Sequence, residues 1–166
     1  YLKYSKIEKT KSINQIKHPI IRETLKTYDK IDQIEITTLA DIPAGTGLGS
    51  SGAFTVSVLK TVQMFYSEYK TNEKIAEIAS DIEINRLREP VGKQDQYISA
   101  VGGLTEFIFH KDDSVEFKRL PINEENLINI QESLLMFFTG YSRSASAILS
   151  TQDEKTKSDD KEMIYN

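Results

Sequence analysis

The 166-residue sequence contains no cysteine, which excludes a disulfide framework, a thiolate zinc site and a cysteine nucleophile. Only 4 prolines and 8 glycines occur among 39% hydrophobic and 28% charged residues, so a collagen-like, disordered or low-complexity chain does not fit. Long apolar runs are missing too. The most compact one, Leu134-Leu135-Met136-Phe137-Phe138, falls far short of the roughly 20 residues of a membrane helix, and no signal peptide is visible. Nor is positive charge in surplus: 21 basic against 25 acidic residues give a net charge of −4, which argues against binding nucleic acid through bulk charge. His18 and His110 lie too far apart to read as a metal pair. What remains is a soluble globular chain of one domain, or one and a piece, suited to a reducing cytoplasm. It opens on Tyr1 without methionine and stops at Met163-Ile164-Tyr165-Asn166 inside a helix-like stretch, so it reads as a segment of something longer.

Periodicity organises the chain. Residues 1–9 are weakly strand-like and lysine-rich, part of a 30-residue stretch whose excess of Lys and Arg reads as a solvated face. Pro19 opens a helix with Ile20, Ile21, Leu25 and Tyr28 as its apolar stripe. From Asp32 the period becomes two, with Ile34, Ile36, Thr38 and Ala40 on one face of a strand. A glycine-rich loop, 41–51, precedes a helix over 53–69 that buries Phe54, Val58, Leu59, Val62 and Phe65. Thr71 caps a second helix running through Ile75, Ala79, Ile82 and Leu87 until Pro90 and Gly92 end it. A short helix over 93–100 follows, and Gly102-Gly103 breaks the pattern. Residues 104–109 and 115–120 form a hairpin around Asp112-Asp113, and Asn123 caps a helix to Glu132. The spacing then predicts a buried strand over 133–139 and a helix from Ala145. The order gives an α+β class, with a domain boundary near 123–132.

The loop Pro43-Ala44-Gly45-Thr46-Gly47-Leu48-Gly49-Ser50-Ser51-Gly52 sits at a strand–helix junction. Glycines let successive amides converge on an anion, the following helix offers its free amides and positive dipole end, and two serines add hydroxyls for phosphate or magnesium. A plain serine-capped turn is the alternative, but four glycines and two serines favour a polyphosphate cradle. A Walker A loop is excluded, because no lysine lies between Asp41 and Leu59. The stretch 47–52 matches Gly-x-Gly-x-x-Gly, yet a second helix follows where a dinucleotide fold needs a strand ending in an acid.

The pattern Pro-x-Gly-x-Gly-Leu-Gly-Ser-Ser resembles the nucleotide loop of the GHMP kinases, the superfamily of galactokinase, homoserine kinase and mevalonate kinase, which hold ATP phosphates without a Walker lysine. Such a kinase needs a magnesium ligand and a group for the proton of the attacking hydroxyl. Glu83 and Asp95 are 12 residues apart, roughly 18 Å on one helix, but Pro90 and Gly92 let the chain double back. By spacing alone these are ordinary solvated carboxylates. The resemblance to the family's Glu, then Gly-x-x-Asp-Gln, implies Glu83 and Ser51 as Mg²⁺ ligands, Asp95 as catalytic base, and residues Pro43, Ala44, Gly45, Thr46, Gly47, Leu48, Gly49, Ser50 and Ser51 around the ATP phosphates. Glu89 has no matching role and reads as surface.

Residues 41–52, 88–97, 102–104 and 138–145 together are most similar to the D-glycero-D-manno-heptose 7-phosphate kinases, which phosphorylate the anomeric hydroxyl of a sugar phosphate for lipopolysaccharide, capsule or S-layer glycans. That implies an N-terminal unit, 1–130, like ribosomal protein S5, and the start of a ferredoxin-like domain over 131–166. It also implies ATP, Mg²⁺ and a phosphorylated sugar as ligands, with a homodimer as a candidate assembly and no nucleic acid or membrane partner. Arg143, Gly140 and Arg88 are candidates for phosphate, since arginine suits phosphate best, with Arg143 placed to meet either the nucleotide or the sugar phosphate; Arg86 and Lys93 also flank the carboxylates. The family's N-terminal strand and sugar loop would precede Tyr1, and its last glycine-rich loop would follow Asn166. Fucokinase or a galactokinase-like enzyme, and a nucleotide-binding homologue without turnover, are the alternatives.

Overall fold

The computed structural model describes residues 1–28, 34–42 and 46–137. Its lysine-rich start forms a small hairpin: β1 (Leu2–Lys3) pairs antiparallel with β2 (Ile7–Glu8). Glu8 ties this hairpin to the next helix, accepting bonds from the Tyr4 hydroxyl at 2.6 Å and the amides of Lys17 and His18 at 2.8 and 3.2 Å. Pro19 then begins α1 (Pro19–Tyr28), whose Ile21, Leu25 and Tyr28 are buried as the stripe predicts. The chain returns as β3 (Ile36–Thr37), parallel to β1, giving the order β2-β1-β3. Ile34, Ile36 and Thr38 are half-buried and Glu35, Thr37 and Leu39 exposed, as the period of two requires, but Ala40, expected on the inner face, is exposed beyond the end of the strand.

Helices build the core. α2 (Ser50–Phe65), α3 (Asn72–Ser80) and α4 (Gln94–Val101) pack against one another, with α1 on α2. Ile21, Leu25, Leu59, Ile75 and Ile82 are essentially inaccessible; burial of each such side chain contributes about 1.5–3 kcal/mol. α4 ends at Gly102-Gly103, both at positive φ (70° and 71°), conformations that favour glycine. β4 (Thr105–Phe109) and β5 (Val115–Arg119) then form the expected hairpin, with Phe107 opposite Phe117. The Asn123 side chain caps α5 (Glu124–Ser133), accepting from the Asn126 amide at 2.8 Å. No helix among the described residues is long and apolar enough to cross a membrane.

Several expectations are corrected. α2 starts at Ser50 and stops at Phe65, short of 69, because Ser67 turns left-handed (φ 55°) and the Glu68 amide folds back onto the Gln63 carbonyl at 2.9 Å. Phe65, expected inside, is 65% exposed; Tyr66 turns inward instead and stacks on Tyr28. The helix from Thr71 is not continuous: after α3 it widens into a π-helical segment, Asp81–Arg86. The strand expected from Ser133 is absent over 133–137. Ser133 ends α5, and Leu134–Phe137 are exposed with no described strand beside them; an apolar run becomes a buried strand only where a sheet receives it. The expected helix from Ala145 lies outside the described residues.

Candidate active site

α2 begins differently from its neighbours. Thr71 and Asn123 cap α3 and α5 with side-chain oxygens, whereas Gly49 at the start of α2 supplies none. Gly49 holds φ +68°, a left-handed conformation that glycine adopts without cost, and α2 carries no acidic residue in its first turn. The first amides of α2 thus receive no acceptor from a cap side chain, and the positive dipole end is not neutralised by its own turn. Thr46, Gly47 and Leu48 run into this turn, with Leu48 half exposed. Pro43, Ala44 and Gly45 lie outside the described residues.

Two carboxylates from elsewhere in the chain meet this turn. Glu83, on the π-helical segment, is 1% exposed. Its Oε2 accepts the Ser51 hydroxyl bond at 2.6 Å, while Oε1 is buried without a partner among the described residues. A buried carboxylate oxygen left unpaired is costly, so Glu83 keeps an acceptor that the described residues do not satisfy. π-turns are over-represented at functional positions, and this one carries the buried acid. Asp95, in the first turn of α4, comes against the same turn. A Cβ added at Gly49 would stand 3.0 Å from its carboxyl carbon, and one added at Gly52 would stand 2.8 Å from its Cβ. The break after the π-segment thus brings both acids, 12 positions apart in sequence, onto one helix end.

The cations between the acids divide sharply. Arg86 is committed to the fold, donating to Asp81 at 2.8 Å and to Thr27 on α1 at 3.0 Å. Lys93 is held by the carbonyl and carboxylate of Asp113 in the hairpin turn, at 2.8 and 3.0 Å. Arg88 is exposed, makes no hydrogen bond or ion pair among the described residues, and sits at φ 57°, a strained conformation for a side chain of its size. Glu89 is exposed, as read from the sequence. Arg143 and Gly140 lie outside the described residues. His18 stacks on Phe54 and His110 meets Glu116, each within the fold.

Sequence reading missed three features. The π-turn leaves no compositional trace. Gln96, 1% exposed with its Oε1 unpaired among the described residues, looks like any polar residue after Asp95. Gly52 was legible only as a loop glycine, although its position against the Asp95 and Gln96 backbone is its salient property. An open groove along α5, lined by Ile122, Asn126, Asn129, Ile130, Ser133 and Leu134, contains none of these residues.

Residues 14–103, which include both acids and the described part of the loop, match the family model of the GHMP kinases N terminal domain. Over 111 residues the chain is 30% identical to D-glycero-alpha-D-manno-heptose 7-phosphate kinase of Campylobacter jejuni subsp. jejuni, covering 67% of this chain and 33% of that protein. It is 28% identical to the galactokinase of Thermosipho africanus over 122 residues (74% and 35%) and 30% identical to the mevalonate kinase of Pyrococcus horikoshii over 102 residues (61% and 30%). The crystal structure of a D-glycero-D-manno-heptose 1-phosphate kinase from Bacteriodes thetaiotaomicron superposes with a TM-score of 0.62 at 29% identity, over 75% of this chain and 41% of that one. The chain thus spans about a third of the length of these sequence relatives.

Proposed function

The chain belongs to the GHMP kinases, and on that premise we propose that it carries the phosphoryl-transfer centre of an ATP-dependent sugar kinase acting on the anomeric hydroxyl of D-glycero-D-manno-heptose 7-phosphate. The observation that carries this reading is the meeting of Ser51, Glu83 and Asp95 at the uncapped start of α2. In the same reading residues 1–130 are the S5-like nucleotide-binding unit and 131–166 begin a ferredoxin-like domain. The protein would work in the cytoplasm, supplying activated heptose for surface glycans.

The residues present suit a magnesium ion. Glu83 offers a buried, unshared oxygen and Ser51 a hydroxyl beside it. Such an ion would be held by these one or two protein ligands, with phosphate oxygens and water completing the shell. When bound, Mg²⁺ would neutralise charge on the phosphates being exchanged. The chain's own part is positional. The amides at the start of α2, with residues 43–51 around them, bind the ATP phosphates. Asp95 orients the sugar hydroxyl and takes its proton. Arg88, and Arg143 and Gly140 beyond the described residues, would meet the sugar's own phosphate.

Similarity to two heptose kinases supports the heptose substrate. The galactokinase and mevalonate kinase are similar to a comparable degree, so another sugar kinase of this family, fucokinase or galactokinase-like, is the second reading. The test is ADP release by the full-length protein with ATP, Mg²⁺ and, separately, D-glycero-D-manno-heptose 7-phosphate, fucose, galactose and mevalonate. Turnover on the heptose phosphate alone is expected. Turnover on another member overturns the substrate, and silence with ATP still bound points to a homologue without turnover.

A further inference from the structure

Gly52 lies buried in the first turn of α2, directly after Ser50 and Ser51. Glycine inside a helix is less stable than alanine, because it loses more backbone freedom and adds no packing. Its backbone here is helical, so no positive φ calls for it. Space does. A Cβ at this position would stand 2.8 Å from Asp95 Cβ, 3.0 Å from the Asp95 carbonyl carbon and 3.0 Å from the Gln96 nitrogen. Two of these three atoms are backbone, so no rotamer change relieves the contact, and α4 itself would have to move. A Cβ at Gly49, one turn earlier, would stand 3.0–3.3 Å from the Asp95 carboxyl atoms. The two glycines make a bare strip of helix on which the first turn of α4 rests.

We propose that Gly52 is a positioning residue for Asp95: its missing side chain sets how closely α4 approaches α2, and hence where the Asp95 carboxylate stands relative to the Ser51–Glu83 pair. This rests on the reading of Asp95 as the group that handles the substrate proton. Gly52 brings no side chain of its own to the site, and Gly52→Ala keeps its backbone amide. A displacement on the order of 1 Å at a reacting group costs about a hundredfold in rate.

The experiment uses Gly52→Ala, Asp95→Gly and the double variant of the full-length protein, with melting temperature, kcat and nucleotide dissociation constant measured for each. Gly52→Ala is expected to lower kcat about a hundredfold and leave nucleotide affinity unaltered. Its melting temperature should fall, and the fall should shrink in the double variant, where the closest contact is gone; this comparison holds even if Gly52→Ala alone does not fold. Additive changes in melting temperature overturn the proposal, because Gly52 then does not press on Asp95. Coupled melting with unaltered kcat overturns it as well, because the contact then serves packing alone. Wild-type protein without sugar-dependent ADP release sinks the kinase reading, while the melting coupling still decides whether Gly52 seats Asp95.

Discussion

Ser51 and Glu83, 32 residues apart in sequence, share a 2.6 Å hydrogen bond that holds one oxygen of a buried carboxylate and leaves the other unpaired among the described residues. The bond orients the acid from α2 while its backbone belongs to the π-helical segment. Ser51→Ala removes the donor and leaves both oxygens without a protein partner. We expect a stability loss of about 1–3 kcal/mol and a 10–100-fold loss in Mg²⁺-dependent ATP affinity, read by chemical denaturation and by calorimetric titration. Ser51→Thr, which keeps the hydroxyl, should retain most of both. Equal affinity in Ser51→Ala would remove this serine from the metal site.

Arg88 spends conformational energy that its environment does not repay. At φ 57° and without a partner among the described residues, it should give way to glycine with a gain of about 1 kcal/mol. If it meets the sugar phosphate, Arg88→Gly also raises the KM for a phosphorylated sugar tenfold or more while the KM for ATP stays put. A stabilised variant with unaltered sugar KM would leave the strain unexplained and the phosphate role refuted.

Acid should loosen the N-terminal half. Hydrogen bonds from the Tyr4 hydroxyl and the Lys17 amide hold the Glu8 carboxyl below its ordinary range, against the effect of its partial burial. Asn85, against burial and with help from Arg86, holds Asp81 low in the same way. A carboxylate favoured in its charged form contributes stability above the ordinary carboxylate range, and loses it as pH falls through the depressed value. Burial lowers the His18 pKa, and its Nδ1 accepts the Ile21 amide at 3.5 Å, so the folded chain prefers the neutral ring. Its contribution is present above the ordinary imidazole range and fades as pH drops below it. Melting temperature should therefore decline gently from neutral pH and steeply below about pH 4.5. Glu8→Gln should flatten the steep part, and an unaltered profile in that variant would show that Glu8 is not a source of it.

Much of this was legible in the chain. The alternation of Ile34, Ile36 and Thr38, the caps at Thr71 and Asn123 and the break at Gly102-Gly103 are local signals, and the structure follows them. Elements that depend on distant partners were less readable. Phe65 and Tyr66 compete for one inward place, and only the left-handed turn at Ser67 decides between them. Leu134–Phe137 has a strand's composition but no described neighbour to pair with. At the site, the spacing of Glu83 and Asp95 allowed a return of the chain without requiring it. The π-turn that carries Glu83 and the bare surface of Gly52 beneath Asp95 arise from packing, which no single-residue pattern encodes.

The central claim is that two acids brought to one helix end do different work, and a parallel measurement on Glu83→Gln and Asp95→Asn tests it most directly. For each variant of the full-length protein, the ATP dissociation constant would be titrated against Mg²⁺ and kcat measured with the sugar that the wild type accepts. The account predicts a split. Glu83→Gln should weaken ATP binding and raise the Mg²⁺ requirement, whereas Asp95→Asn should bind ATP as the wild type does and turn over about 10²–10⁴-fold more slowly. The same defect in both variants, or full turnover in Asp95→Asn, would contradict the division of labour at the start of α2.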